Sequence, residues 1–255
     1  MTGRVHLDVE GHVAVITLDN PPLNIVTDAM RPLMQARLRE AADNPAVRCV
    51  VITGAGSRAF CAGADLAEEA DLTPETVRRF IEVGKQQFDD VENFPVPVIA
   101  AVNGHCMGGG FELALSCDIR IVSETAKLRG AGVTVGLVVS TTRLTRLAGP
   151  AVAKELLLTG RTFDGRDAYR LGLASAVVPG PEVLPRAREW AEEIATRAPL
   201  AVRRTKTSIH EASALPYEEA MSRELDHFAA LSATEDHKEA IRAFFARTPP
   251  RFRGR

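Results

Sequence analysis

Residues 97–117 read PVIAAVNGHCMGGGFELALSC, and this stretch combines three local patterns. Residues 98–102 form a continuous apolar run, which is typical of a buried strand. An Asn-Gly pair interrupts the run, three glycines follow at 108–110, and a helical pattern begins at Phe111. The stretch therefore predicts a strand, a glycine-rich turn and a helix, one directly after the other.

The start of the predicted helix has the properties of an oxyanion site. The first amides of a helix have no intrahelical acceptor, and the helix dipole makes that end positive. Glu112 is placed about one residue into the helix, so a carboxylate stands beside free amides, as acid/base chemistry at a carbonyl group requires. The alternative is structural: the glutamate only complements the dipole, and the glycines only allow close packing of the helix on a sheet.

Composition restricts the class of protein. The chain has 255 residues, which is long enough for one large α/β domain. Its net charge of −2 and 45% hydrophobic residues are ordinary for a globular protein and indicate no nucleic-acid partner. It contains neither an apolar run of transmembrane length nor a recognisable signal peptide. The four cysteines have no CxxC spacing, which favours reduced thiols, no metal site and a cytoplasmic location.

A second glycine-rich loop, GAGSRAFCAGADL at residues 54–66, follows the β-branched run at 47–53. Its first six residues match the GxGxxA pattern of dinucleotide sites. However, the next helix is predicted to begin only after Asp65, which acts as its cap, and no strand with a ribose-binding acid follows. A dinucleotide site is therefore the weaker alternative. Because the order strand, glycine loop, helix occurs twice, the two loops can present amides to one ligand atom.

The rest of the chain supplies further strands and helices. Alternation predicts an opening hairpin from residues 5–9 and 12–18, and Thr27 or Asp28 is predicted to cap a helix over 29–42. Strand patterns stop near residue 178, and only helical patterns follow from residue 183. We therefore place a domain boundary between residues 1–197 and 198–255.

The two glycine loops carry a family resemblance. CAGADL at residues 61–66 and NGHCMGGGFELALSCDIRI at 103–121 resemble the crotonase family of enoyl-CoA hydratases and isomerases. NPPLN at 20–24, ELLLTGRTFDGRDAYRLGLASAVVP at 155–179 and EDHKEAIRAFFARTPPRFRG at 235–254 extend this resemblance over nearly the whole chain. The motifs occur in the order that the family shows.

The resemblance implies an α/β fold in which residues 1–197 form a crotonase-like spiral of repeated ββα units. It implies that residues 198–255 form a helical trimerisation region, giving a homotrimer or hexamer. It further implies an acyl-CoA lyase of fatty acid metabolism. Coenzyme A enters as part of the thioester substrate, and no separate cofactor is expected.

By position, the backbone amides of Ala64 and Gly109 would form the oxyanion hole for the thioester oxygen. Glu112 would be the catalytic acid/base. The resemblance also implies a set of substrate-binding residues in an early loop, NPPLN at 20–24, and in the two glycine loops: Leu23, Asn24, Cys61, Ala62, Gly63, Ala64, Asp65, Leu66, Gly108 and Gly109.

One departure from the family concerns a second acid. Family hydratases use two glutamates, twenty residues apart, and the second position here is Gly132. The segment between it and Arg143 is about three residues short and contains no carboxylate. Loss of a general acid/base costs about 10²–10⁴ in rate. The alternatives are a hydratase with Glu112 alone, a non-hydrating enzyme such as an isomerase, and an impaired acyl-CoA-binding protein.

Four hydroxyl groups in this segment are candidates to hold a water molecule in place of the acid. Loop hydroxyls also commonly satisfy neighbouring backbone groups, and the sequence does not separate the two roles. The four are Thr134, Ser140, Thr141 and Thr142.

Overall fold

The computed structural model describes residues 3–255, which form ten strands and ten α-helices. The strands are β1 (Arg4–Glu10), β2 (Val13–Asp19), β3 (Cys49–Gly54), β4 (Ala59–Cys61), β5 (Val98–Val102), β6 (His105–Met107), β7 (Ile119–Ser123), β8 (Lys127–Arg129), β9 (Phe163–Asp164) and β10 (Ala176–Val178).

The helices of the N-terminal part alternate with these strands, whereas the last four follow one another. They are α1 (Met30–Asp43), α2 (Leu66–Ala70), α3 (Pro74–Glu92), α4 (Gly109–Ser116), α5 (Thr141–Thr159), α6 (Gly165–Arg170), α7 (Val183–Ala195), α8 (Pro199–Ala214), α9 (Tyr217–Ser232) and α10 (Glu235–Ala246). A short 3-10 helix, Gly132–Val135, lies between β8 and α5.

The strands form two sheets. The larger sheet has the order β1-β2-β3-β5-β7-β10, in which only β1 and β2 are antiparallel. The smaller sheet has the order β4-β6-β8-β9, in which only β8 and β9 are antiparallel. In the central part, the chain alternates between the two sheets, so that each repeat adds one strand to each sheet. The glycine loops lie where the chain passes from one sheet to the other.

The central strands are buried on both faces, which explains their continuous apolar sequences. Helix α7 covers one face of the larger sheet, where Ala187 and Ala191 pack against Val51, Ile99 and Ile121. The opposite face packs against α1, α4 and the smaller sheet in the main core, which includes Met34, Phe60 and Phe111. Helix α4 is therefore held inside the core, where it is shielded from solvent along most of its length.

Most local predictions are confirmed. The opening hairpin forms, and the Asp65 side chain caps α2 by accepting a hydrogen bond from the Ala67 amide at 2.9 Å. The predicted cap of α1 is wrong: α1 follows Ala29 without a side-chain cap, because Asp28 accepts a hydrogen bond from Arg31 instead. The central stretch also contains a strand, β6, that the sequence patterns did not predict.

The four cysteines are free, buried thiols within the described part of the chain. Burial raises the pKa of Cys61 to about 11 and the pKa of Cys117 to about 12. Among residues 3–255, we find no helix with the length and apolar character that a membrane crossing demands.

Candidate active site

The two glycine loops meet in the structure at residues 62–65 and 108–110. These segments directly follow β4 and β6, which are neighbours in the smaller sheet. Gly110 allows this contact, since a Cβ atom at that position would lie 2.0 Å from the Cys61 carbonyl oxygen. Gly63 has a φ of +104°, and a Cβ atom there would lie 3.0 Å from the Met107 carbonyl oxygen. Only glycine fits both the space at 110 and the backbone conformation at 63.

This contact places the two predicted oxyanion-hole residues side by side. A Cβ atom at Gly109 would lie 3.6 Å from the Ala64 backbone nitrogen. Gly109 is the first residue of α4, and Ala64 immediately precedes the cap of α2. Neither amide donates to a backbone acceptor among residues 3–255. Two free amides at the starts of two helices thus lie next to each other, as binding of one oxyanion requires.

The early loop lies against the first of these amides. Val26 donates from its amide to the Gly63 carbonyl at 2.8 Å, and Ala62 donates to the Leu23 carbonyl at 3.0 Å. The Asn24 side chain is buried and donates to the carbonyl oxygens of Ala55 and Ala59. Asn24 therefore holds two loops together through its amide group.

The other predicted binding residues differ in their exposure to solvent. Gly63 and Cys61 are buried, whereas Ala62, Ala64, Asp65, Gly108 and Gly109 are half-buried beside the paired amides. Leu66 is 60% exposed on α2. The GxGxxA segment does not form a dinucleotide site, because it leads into strand β4 and the next helix begins only at Leu66.

Glu112 is the fourth residue of α4, which begins earlier than its sequence pattern predicted. Its side chain is buried, and its Oε1 atom accepts a hydrogen bond from Arg143 Nη1 at 2.6 Å. Its Oε2 atom is also buried but has no hydrogen-bond partner among the described residues. One oxygen is thus fixed and the other is free for a proton, a water molecule or a substrate.

Arg143 joins three carboxylates at the start of α5. Besides Glu112, its guanidinium group binds Asp89 at 2.8 Å and Glu92 at 2.6 Å, and Lys85 pairs with Asp89. Burial opposes the guanidinium charge, but the hydrogen bond and charge of Glu112, with those of Glu92, outweigh it and raise the pKa of Arg143. Arg143 therefore remains a cation that supports the buried carboxylate.

Sequence reasoning did not identify this network. The sequence contains only indirect evidence for the network. A buried glutamate requires a cation, and Asp89 and Glu92 have the three-residue spacing that places two carboxylates on one face of a helix. Which of the chain's 31 lysines and arginines would supply the cation was not evident from the sequence.

Gly132 is buried at the start of the 3-10 helix. A Cβ atom on Gly108 would lie 3.9 Å from the Ala131 Cβ atom, so this segment borders the paired amides. The following loop folds back onto Gly132: Leu137 donates from its amide to the Gly132 carbonyl at 2.8 Å. A Cβ atom at 132 would lie 2.7 Å from the Leu137 carbonyl oxygen and 2.8 Å from Val139 Cγ2.

Gly132→Glu is therefore expected to destabilise the protein without adding an acid to the site. The new side chain must displace the Leu137 backbone, and such overpacking costs about 1–3 kcal/mol of unfolding free energy. Chemical denaturation and the hydration rate of crotonyl-CoA measure the two effects. Gly84→Ala on α3 is the control, because its Cβ atom has only an ordinary contact at 3.6 Å. Unchanged stability with faster hydration would show that the space is open.

The four candidate hydroxyls have different surroundings. Thr134 is exposed and donates to the Ala131 carbonyl at 2.7 Å, and Thr141 and Thr142 are also exposed. Ser140 is buried, and its Oγ atom has no hydrogen-bond partner among residues 3–255. Thr134 therefore satisfies a backbone group, as loop hydroxyls commonly do, whereas Ser140 does not.

Comparison with known proteins identifies the family of this chain. The model of the enoyl-CoA hydratase/isomerase family matches residues 8–255. The chain belongs to this family. As a member of the crotonase family, it resembles the crotonyl-CoA hydratase of Syntrophomonas wolfei, with 37% identity over 98% of this chain and 97% of the relative. A short-chain-enoyl-CoA hydratase of Clostridium acetobutylicum is also 37% identical, over 94% of each chain.

Solved structures of the family share the fold. A crystal structure of enoyl-CoA hydratase from Bacillus anthracis has a TM-score of 0.95 and 35% sequence identity, and the match covers 99% of this chain and 100% of that one. A Geobacillus kaustophilus enoyl-CoA hydratase subunit has a TM-score of 0.92 and 36% identity over 98% of both chains. The crotonase-like α/β fold expected from the sequence is therefore confirmed.

Proposed function

We propose that this protein acts on an acyl-CoA thioester by stabilising its enolate between the amides of Ala64 and Gly109, with Glu112 as the only carboxylate acid/base. The observation that carries the proposal is the adjacency of these two free amides. A donor of this kind contributes about 3–4 kcal/mol to an oxyanionic transition state. Glu112, three residues further along α4, supplies the partly free carboxylate.

Hydration of an enoyl thioester is the reaction that we favour, since the relatives named above are hydratases. In this reaction the water oxygen bonds to Cβ while Glu112 takes one water proton. The resulting enolate is held by the two amides and then takes that proton from Glu112 at Cα. The net change is addition of one water molecule, and the carboxylate returns to its initial state.

A second candidate is proton transfer without hydration, as in double-bond isomerisation. The closed space around Gly132 favours it, because no second carboxylate has room there. Glu112 alone suffices to remove a proton from one carbon and return it to another. The third alternative, an impaired acyl-CoA-binding protein, would catalyse neither reaction. The buried Oε2 atom of Glu112 argues against this alternative, because a carboxylate oxygen without a hydrogen-bond partner is costly to retain in a protein that does not use it.

Two assays on the wild-type protein test the proposal. Hydration of crotonyl-CoA removes the ultraviolet absorbance of the conjugated thioester. Exchange of the Cα protons of butyryl-CoA in D₂O, followed by nuclear magnetic resonance, requires only the enolate and a base. We expect both reactions. Exchange without hydration indicates the proton-transfer enzyme, and the absence of both contradicts the proposed function.

The acyl group and the CoA moiety are proposed to bind along the residues named from the resemblance, from Leu23 to Gly109. The 3-10 helix and the loop after it expose an apolar surface next to the site, which suits an apolar acyl group. Its members are Val133, Val135, Leu137 and Val138. Arg58 is exposed in the loop between β3 and β4 and is our candidate partner for CoA phosphate groups.

We also propose a homotrimer or a hexamer formed through residues 198–255. Large apolar side chains are exposed on α8, α9 and α10, which is unusual for a monomer. Those more than half exposed are Ile209, Tyr217, Leu225, Phe228, Phe244 and Phe245. Light scattering after size-exclusion chromatography is expected to give three or six times the chain mass of 27.5 kDa. A monomeric mass would contradict this proposal.

A further inference from the structure

Ser140 has two unusual properties in one residue. Its backbone is left-handed, with a φ of +61°, a conformation that serine rarely adopts. Its side chain is 7% exposed, and its Oγ atom has no hydrogen-bond partner among residues 3–255. Buried hydroxyls are nearly always bonded, and backbone strain concentrates at functional sites. Both features therefore require an explanation.

The position of Ser140 connects it with both parts of the proposed site. It precedes the first turn of α5, where Leu144 donates to the Ser140 carbonyl at 3.1 Å, and Arg143 in that turn binds Glu112 Oε1 at 2.6 Å. Ser140 also follows Val139, whose backbone nitrogen lies 3.2 Å from the Cβ position of residue 132. Along the chain, Ser140 thus directly follows the residue that packs against Gly132 and lies three residues before the arginine that binds Glu112.

Buried side-chain atoms without a partner are few in the described residues. They are Arg31 Nη2, Asn103 Oδ1, Glu112 Oε2 and Ser140 Oγ. Two of these four atoms belong to Glu112 and to Ser140, which lies three residues before Arg143, the partner of Glu112. A carboxylate oxygen and a hydroxyl group together can hold one water molecule, because both accept and the hydroxyl also donates.

We propose that Ser140 is a water-binding residue of this site, and that its hydroxyl and Glu112 Oε2 hold the water that adds to the enoyl thioester. This inference rests on the proposed function. The serine has no acid/base role of its own. Glu112 takes the water proton and returns it to Cα, while the Ser140 hydroxyl fixes the position of the water oxygen.

Two substitutions separate this role from a structural one. Ser140→Ala removes the hydroxyl and keeps the strained Cβ atom. Ser140→Gly removes both, and because glycine adopts the left-handed conformation freely, the melting temperature is expected to rise by roughly 2–4 °C. A residue with a structural role alone would leave this more stable variant fully active. Thr141→Ala is the matched control, since it removes an exposed hydroxyl from the adjacent position.

The readout is crotonyl-CoA hydration compared with Cα-proton exchange of butyryl-CoA, for which no added water is needed. Misplacement of a reactant can reduce a rate by about 10²-fold. We therefore expect both Ser140 variants to hydrate crotonyl-CoA about 10²-fold more slowly than the wild type and to exchange Cα protons at close to the wild-type rate. Thr141→Ala is expected to retain both rates.

Three results overturn the assignment. Wild-type hydration by Ser140→Gly shows that the hydroxyl is not used. Equal loss of hydration and exchange shows that Ser140 acts on Glu112 and not on water. A wild-type protein that exchanges protons but does not hydrate overturns the role of Ser140 and leaves the enolate chemistry intact, whereas absence of both reactions contradicts the proposed function itself.

Discussion

Glu112→Gln is expected to reduce turnover of crotonyl-CoA by about 10²–10⁴ while leaving the affinity for the thioester nearly unchanged. Glutamine keeps an oxygen that accepts the hydrogen bond of Arg143, and Asp89 and Glu92 still neutralise that guanidinium group. The substitution therefore removes the acid/base function with little change in structure. Turnover is measured by ultraviolet absorbance and binding by calorimetry with butyryl-CoA, which cannot be hydrated.

Glu92→Gln is the matched control for this experiment. Glu92 binds the same guanidinium group at 2.6 Å but lies on α3, and its side chain is 31% exposed. Removal of its charge tests whether the Arg143 network alone sets the rate, and we expect only a severalfold change. Full activity of Glu112→Gln would exclude Glu112 as the acid/base. Equal loss in both variants would assign the effect to the charge balance around Arg143.

Alanine substitutions at the adjacent Gly109 and Gly110 are expected to affect different properties: activity at Gly109 and stability at Gly110. At Gly110 the new methyl group would lie 2.0 Å from the Cys61 carbonyl oxygen, so β4 and α4 must separate. We expect the free energy of unfolding to fall by about 3 kcal/mol or more, the upper range for overpacking. At Gly109 the nearest atom is the Ala64 nitrogen at 3.6 Å, so the protein is expected to fold normally.

Gly109→Ala is instead expected to lose activity. Its methyl group fills part of the space between the two amides, where the thioester oxygen would bind, and loss of an oxyanion-hole donor costs about 10²–10³ in rate. Urea unfolding and crotonyl-CoA turnover, measured on both variants, separate the effects. A fully active Gly109→Ala variant would show that the oxygen binds elsewhere, and a Gly110→Ala variant of wild-type stability would contradict the close contact of the loops.

Local patterns were sufficient for most elements of the fold. The apolar run at 98–102 and the Asp65 cap predicted a strand and a helix start, and both form. The glycines at 108–110 predicted a turn before a helix at Phe111, whereas α4 already begins at Gly109. Strand β6 was missed because it has only three residues and ends at the glycines, so it is too short to show alternation. Its pairing with β4 is a tertiary contact, and this pairing brings the glycine loops together.

The sequence by itself determined the class of the protein: two strand–loop–helix units, a glutamate at the start of the second helix, and no carboxylate in the segment where the family hydratases carry their second acid. The tertiary structure decided how the site is built. It brings Arg143 to Glu112 and fills the space around Gly132 with Leu137 and Val139. It also buries Ser140, whereas the other three candidate hydroxyl groups of the same segment are exposed. Local periodicity specifies each helix and strand, whereas these contacts join residues from different elements and depend on how the sheets and helices pack.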